Sequence, residues 1–436
     1  MRTMRAAIAG LLLLTPLSAL AQASEAEPAY AYIPLRPPLT SEAREAAQGI
    51  TAFAADIYKA AQKPGEDIFL SPASISTAVA LAYAGARGTT ATEMQRVLRY
   101  PAAPAAFTPA NAALVATMKL DAPGRELRTA NRLYVQQDLK LAPAWVDDMT
   151  RYYGAPLDRV DFRDTPAAIA TVNRWVETET RDRIRDLLRE DDISAETRAV
   201  LVNTLYFKAA FGAPFEPKNT KTEMFRLLDG RKLQTPLMHQ RAMFNLIEHD
   251  GVQVVALPYR NGETEMVVIL PRSPKGLPTL EAALTPERLT AWLRELDDAP
   301  ARDTILTLPR FHLAWRVDLG ETLQAMGMPT AFGDDADFGA MKPFDRTSRN
   351  PEDKGLKIAK VIHQTWLDVD EKGSEAAAAT AVVMDIIVTS ARITAKPPPP
   401  VIFRADRPFL FLIRDTRTGV PLFIGRVANG IEQPAG

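Results

Sequence analysis

The chain runs to 436 residues, 47% hydrophobic and 24% charged, enough apolar material for a large core. Its 52 Lys and Arg nearly cancel 53 Asp and Glu, a net charge of −1 that excludes the basic excess of a general nucleic-acid or anionic-membrane binder. Cysteine is absent, which excludes disulfide staples, thiolate chemistry and a cysteine lipid anchor, so an exported form must rest on its core alone.

In chain order, Arg2 and Arg5 precede the apolar run Ala6–Leu14, and the small residues Ala19, Ala21 and Ala23 then fit a signal-peptidase site. The run falls short of the roughly 20 residues a membrane span needs. Residues 1–23 are therefore expected to be a cleaved export signal, leaving the mature protein secreted or periplasmic. Residues 24–40, with Pro28, Pro34, Pro37 and Pro38, read as a semi-extended linker. A helix starts at Thr40 or Ser41 and repeats Ala46, Ile50, Phe53, Ala54 and Ile57 at helical spacing. Ser74 to Ala84 is small and apolar enough to be buried nearly all round, and Gly85-Ala86-Arg87-Gly88 breaks it.

Further helices are expected over Thr165 to Leu188 and Thr279 to Leu296. Val200 to Phe207, Met266 to Leu270, Thr304 to Leu308, Trp366 to Asp370 and Phe409 to Ile413 are short and apolar and read as strands. The irregular mixture of helices and strands, with no strong domain break from residue 42 onward, predicts one α+β domain over residues 41–436. Glu371 to Pro400 is the oddest stretch: acidic and alanine-rich, then aliphatic, then four prolines from Pro397.

Familiar enzymatic chemistry is missing. His239, His249, His312 and His363 are too dispersed for metal spacing, and no nucleophile elbow, Walker loop or dinucleotide fingerprint occurs. No catalytic residue, metal or cofactor is therefore assigned. Arg181, Arg183, Arg185 and Arg189 alternate with Glu179, Asp182, Asp186 and Glu190, which reads as a solvated helix face.

Five segments, taken together and in order, resemble the serpin family. They are Phe69-Leu70-Ser71-Pro72-Ala73-Ser74-Ile75-Ser76 with Gly85 to Thr90; Leu201 to Lys208 with Pro214-Phe215; Leu308-Pro309-Arg310-Phe311 with Asp337-Phe338; Asp370 to Thr380; and Arg407 to Phe411. The resemblance covers residues 42 to 428. It implies three β-sheets, about nine helices and an exposed reactive loop over residues 371–400. It also implies inhibition of serine proteases: the enzyme attacks the loop, an acyl-enzyme forms, and the cleaved loop enters the main sheet as a new strand. The partner is then the target protease, held covalently, with no nucleic acid or membrane involved and the inhibitor a monomer.

By the same matching, Glu371, Gly373, Ser374, Glu375, Ala376, Ala377, Ala378, Ala379 and Thr380 form the hinge. Ser374, Ala376, Ala378, Thr380 and Val382 share the face expected to turn inward, small at first and β-branched later. By propensity alone the alanine run reads as helix, and both readings hold in different states. Ser71, Ser74, Asn203 and His363 match a polar cluster called the shutter. Arg310 and Phe211 match the breach at the loop's entry, where Glu371 is expected to form an exposed ion pair with Arg310. The family usually has Trp at the position of Phe211 and Gly at that of Ala209. Counting from the hinge glutamate places the scissile bond at Ile387-Val388, which suits elastase-like or subtilisin-like enzymes. Arg392-Ile393 is the runner-up and would recruit trypsin-like enzymes. The alternative is a non-inhibitory serpin acting as carrier, chaperone or storage protein.

Overall fold

Fifteen strands and nine α-helices are found among the described residues of the computed structural model, which are 38–118, 125–154, 157–249, 251–260, 262–348, 355–374, 398–429 and 431. In chain order the strands begin with β1 (Ile68–Leu70), β2 (Arg125–Gln136), β3 (Leu157–Val160), β4 (Ala199–Ala210) and β5 (Lys221–Arg226). There follow β6 (Lys232–His249), β7 (Val252–Pro258), β8 (Thr264–Pro271), β9 (Ala301–Pro309) and β10 (Phe311–Asp318). The last five are β11 (Val361–Asp370), β12 (Gly373–Ser374), β13 (Val401–Arg404), β14 (Phe409–Asp415) and β15 (Pro421–Val427).

One sheet has six strands in the order β10-β11-β12-β4-β2-β3. The other has nine, in the order β1-β15-β14-β8-β7-β6-β9-β13 with β5 beside β6. Two of the three expected sheets are thus continuous, because the 18-residue β6 serves both: Leu246–His249 pair with β7, and Leu237–Asn245 pair with β9. The helix Pro72–Tyr83 packs on β2 and β4 of one sheet and on β15 of the other. Covered on both sides, it can be apolar all round, and each of its twelve residues is buried.

The helix Ser41–Ala61 begins as its sequence predicts, with Thr40 Oγ1 accepting the Ala43 N–H at 3.2 Å. Two other expectations need correction. The stretch from Thr279 to Leu296 is two helices, Leu277–Ala283 and Pro286–Asp298, because Thr285 caps the second and Pro286 cannot continue the first. The helix from Thr165 stops at Glu179 rather than Leu188, since Thr180 Oγ1 accepts the Ile184 N–H and turns the chain. Arg181, Arg183, Arg185 and Arg189 therefore lie on an irregular segment, not on a helix face.

Candidate functional site

The six-stranded sheet has a seam that is closed at one end and parted at the other. Strands β4 and β11 pair in parallel from Leu201 and Val361 up to Tyr206 and Trp366. Beyond that point they diverge, and β12 lies between them. Ser374 pairs with Val369 on one side and Ala209 on the other, and Gly373 pairs with Asp370 and Ala210.

The turn into this slot is built locally. Asp370 Oδ1 accepts the Lys372 and Gly373 N–H groups, at 2.8 and 3.3 Å. Gly373 has φ +147°, and a Cβ there would lie 2.2 Å from the Ala209 carbonyl oxygen, so only glycine fits. Ser374 is fully buried, and its hydroxyl hydrogen-bonds the Tyr259 hydroxyl. The Tyr259 ring stacks on Phe211 at 5.2 Å and 8°, and Phe215 packs edge-on against Phe211 at 5.9 Å. Phe211 and Phe215 also donate their backbone N–H groups to the Lys372 and Glu371 carbonyls, both at 2.8 Å. The turn is thus latched by backbone bonds and ring stacking, neither of which needs the indole donor that Phe211 lacks.

Glu371 departs from the exposed pair expected of it. Its side chain is only 5% exposed while that of Arg310 is 31% exposed. Arg310 donates from Nε to both carboxylate oxygens, at 2.9 and 3.1 Å, and from Nη2 to Oε1 at 2.7 Å; Thr220 Oγ1 donates at 2.5 Å. Burial pushes this carboxyl upward, but the hydrogen bonds from Arg310 and Thr220 outweigh it and hold the group below its ordinary range.

Beneath the closed part of the seam, Ser71, Ser74, Asn203 and His363 come together. The Ser71 N–H donates to His363 Nε2 at 3.0 Å, so the ring proton sits on Nδ1 and is given to Asn203 Oδ1. Asn203 Nδ2 donates to Ser74 Oγ and to Asn131 Oδ1, both at 2.6 Å, and Ser74 Oγ donates to Asn131 Oδ1 at 3.0 Å. Asn203 and His363 are themselves register partners across the seam. Burial drives the His363 pKa down to about 3, against a smaller opposing effect of its bond to Asn203, so the ring is neutral.

Sequence reading missed Asn131, which stands opposite Asn203 on β2. An asparagine inside a strand was the available signal, since the residue is depleted there unless its amide is used. Glu375, Ala376, Ala377, Ala378, Ala379 and Thr380, and both candidate bonds, Ile387-Val388 and Arg392-Ile393, lie outside the described residues. Among the described residues, no cluster of His, Asp or Glu could hold a metal ion, and no helix is long and apolar enough to cross a membrane.

A mixed fold with a main sheet parted at one end, a buried polar cluster under its seam and a glycine turn entering the gap defines a narrow class. The family model described as serpin (serine protease inhibitor) matches residues 48–430, and the chain belongs to the serpin family. It is 33% identical to mouse antithrombin-III over 400 residues, 88% of this chain and 82% of that one. The crystal structure of Serpin48, a highly specific serpin of the insect Tenebrio molitor, aligns with TM-score 0.76 and 28% identity, over 89% of this chain and 99% of that one. Human thyroxine-binding globulin complexed with its ligand aligns with TM-score 0.76 and 27% identity, over 89% of this chain and 100% of its own. Serpins are generally protease inhibitors rather than enzymes, but some members do not inhibit.

Proposed function

We propose that this protein is an exported inhibitor of serine proteases that acts as a suicide substrate. What carries the reading is the seating of Gly373 and Ser374, already bonded to both β4 and β11 where those strands part. The next inward positions, Ala376, Ala378 and Thr380, are small enough to follow. The protease's serine oxygen attacks the Ile387 carbonyl carbon, the bond to the Val388 nitrogen breaks, and that amine leaves with a proton. The new acyl-enzyme then moves with the loop as the hinge zips between the strands. Insertion has to outrun deacylation, which is why the entry must be preformed.

The seam is also short of bonds on its outer side. Thr204 Oγ1 and Gln364 Oε1 belong to register partners across it, and both atoms are buried without a hydrogen-bond partner. Elastase-like and subtilisin-like enzymes are the targets that Ile387 suits, with trypsin-like enzymes if Arg392 is used. In this reading residues 1–23 are removed on export and residues 24–40 form a linker ahead of the domain, which works as a monomer.

The test is a panel of serine proteases mixed with the protein and run on a denaturing gel. A detergent-stable band near the summed masses is expected with elastase or subtilisin, and the mass of the released C-terminal peptide should place the cut after Ile387. Cleaved protein alone with every protease would favour a carrier, chaperone or storage role.

A further inference from the structure

The two ends of the stretch 371–400 are bridged by one short strand, β5. Thr220, the residue before it, donates its hydroxyl to the Glu371 carboxylate at 2.5 Å. At its far end the Arg226 N–H donates to the Asp406 carbonyl at 2.9 Å, two residues past β13. Between them, Glu223 accepts from Arg404 Nη2 at 2.5 Å. The strand is six residues long, about 20 Å. An enzyme that grips the chain between these two anchors comes up against β5 and the strand paired with it.

That partner is the first part of β6, and the two make a hairpin closed by the Leu227 N–H on the Arg231 carbonyl at 2.8 Å. One face turns inward, with Phe225 and Thr235 fully buried. The other carries the register pairs Arg226–Lys232, Met224–Gln234 and Thr222–Pro236. Arg226 and Lys232 stand opposite one another with like charge, which destabilises a strand pair. Neither has a carboxylate partner among the described residues. Of the nearby acids, Asp229 is taken up by Arg231 at 2.6 Å, and Glu223 by Arg404 and His239. Beside the two cations Met224 is 53% exposed, and Met and Arg are enriched where proteins meet.

We propose that this hairpin face is a second contact for the target protease, and that it selects enzymes whose surface beside the active-site cleft is acidic. The two unpaired cations draw such an enzyme in before the loop is engaged, and Met224 gives the docked surfaces an apolar centre. The hinge is held by other residues, Thr220, Tyr259 and Arg310, so the contact governs the rate of encounter and not the fate of the cleaved loop. A charge criterion is thereby added to the side-chain preference that Ile387 sets. The proposal rests on the protease-inhibitor reading.

The test pairs the full-length protein with two subtilisins that share a substrate preference but carry opposite net charge, each also as an inactive serine-to-alanine form. Wild type is compared with Arg226→Glu/Lys232→Glu and with the milder Arg226→Gln/Lys232→Gln. In about 0.01 M salt, where charges act over about 30 Å, the Glu variant should associate with the inactive acidic enzyme about tenfold more slowly, and faster with the basic one. The Gln variant should fall between, and it carries the comparison if the Glu variant does not fold. In about 1 M salt, where the reach is about 3 Å, the differences should shrink to about twofold or less. Equal rates for wild type and both variants at low salt, or a loss that persists at high salt, overturns the proposal. With active enzyme the share of trapped complex should stay the same; a changed share would place these side chains in the hinge and overturns it as well. Charge-dependent encounter with the inactive enzymes, but no detergent-stable complex with the active ones, would sink the trapping reading and leave the hairpin contact standing.

Discussion

Ser374→Arg is expected to turn the protein from inhibitor into substrate, leaving cleavage by elastase or subtilisin intact while the detergent-stable complex falls at least tenfold. Ser374 is fully buried between Val369 and Ala209, with its hydroxyl on Tyr259. A guanidinium in that buried slot must shed its water, a penalty of several kcal/mol. Trapping is a race between insertion and deacylation, and about 1.4 kcal/mol on the insertion barrier alone shifts the outcome tenfold. Ala378→Arg, four residues further along the inward face, should give the same result without disturbing the Tyr259 contact. Gel densitometry against titrated protease measures both variants, and an undiminished complex with either would count against strand entry.

Acid should weaken the uncut protein earlier than its carboxylates would dictate, through His363. The folded state holds this imidazole neutral with a pKa of about 3, while the unfolded chain takes up a proton near 6.5. Stability is therefore complete above pH 6.5 and is lost as pH falls toward 3, at a slope that approaches about 1.4 kcal/mol per unit. Glu371 and Glu223, with pKa values lowered from 4.5, contribute only below that value, so neither adds to a slope between 6.5 and 4.5. Urea denaturation across that interval should show the slope in wild type and its loss in His363→Ala. That variant starts less stable, by about 1–3 kcal/mol, because Asn203 Oδ1 and the Ser71 N–H lose their partner. A slope that survives the substitution would place the titration elsewhere.

Much of the architecture was legible because period and composition reported it directly. The small, largely apolar run from Ser74 is a helix covered by two sheets, and the β-branched run from Val200 is the strand at the seam. Gly373 was legible too, since a pivot needs a residue without Cβ and the Ala209 carbonyl leaves no room for one. Other features depend on partners far away in sequence. The burial of Glu371 depends on Arg310 and Thr220 closing over it, and no local pattern announces that. Asn131 acquires its role only through register with Asn203. The alternating Arg and Asp after Glu179 suits a helix by charge pattern, while the actual path is imposed by Thr180 and by contacts with β10 and β11. Long-range contacts overrode local preference at each of these places, and each lies along the seam or at its mouth.

The melting temperature before and after a single nick near residue 387 probes the stored drive most directly. If the severed segment becomes a strand between β4 and β11, the midpoint should rise by about 10 °C or more, a gain of several kcal/mol for a domain this large. A nicked protein that melts at or below the midpoint of the intact one would contradict the mechanism, because the uncut fold would then hold nothing in reserve to trap a protease.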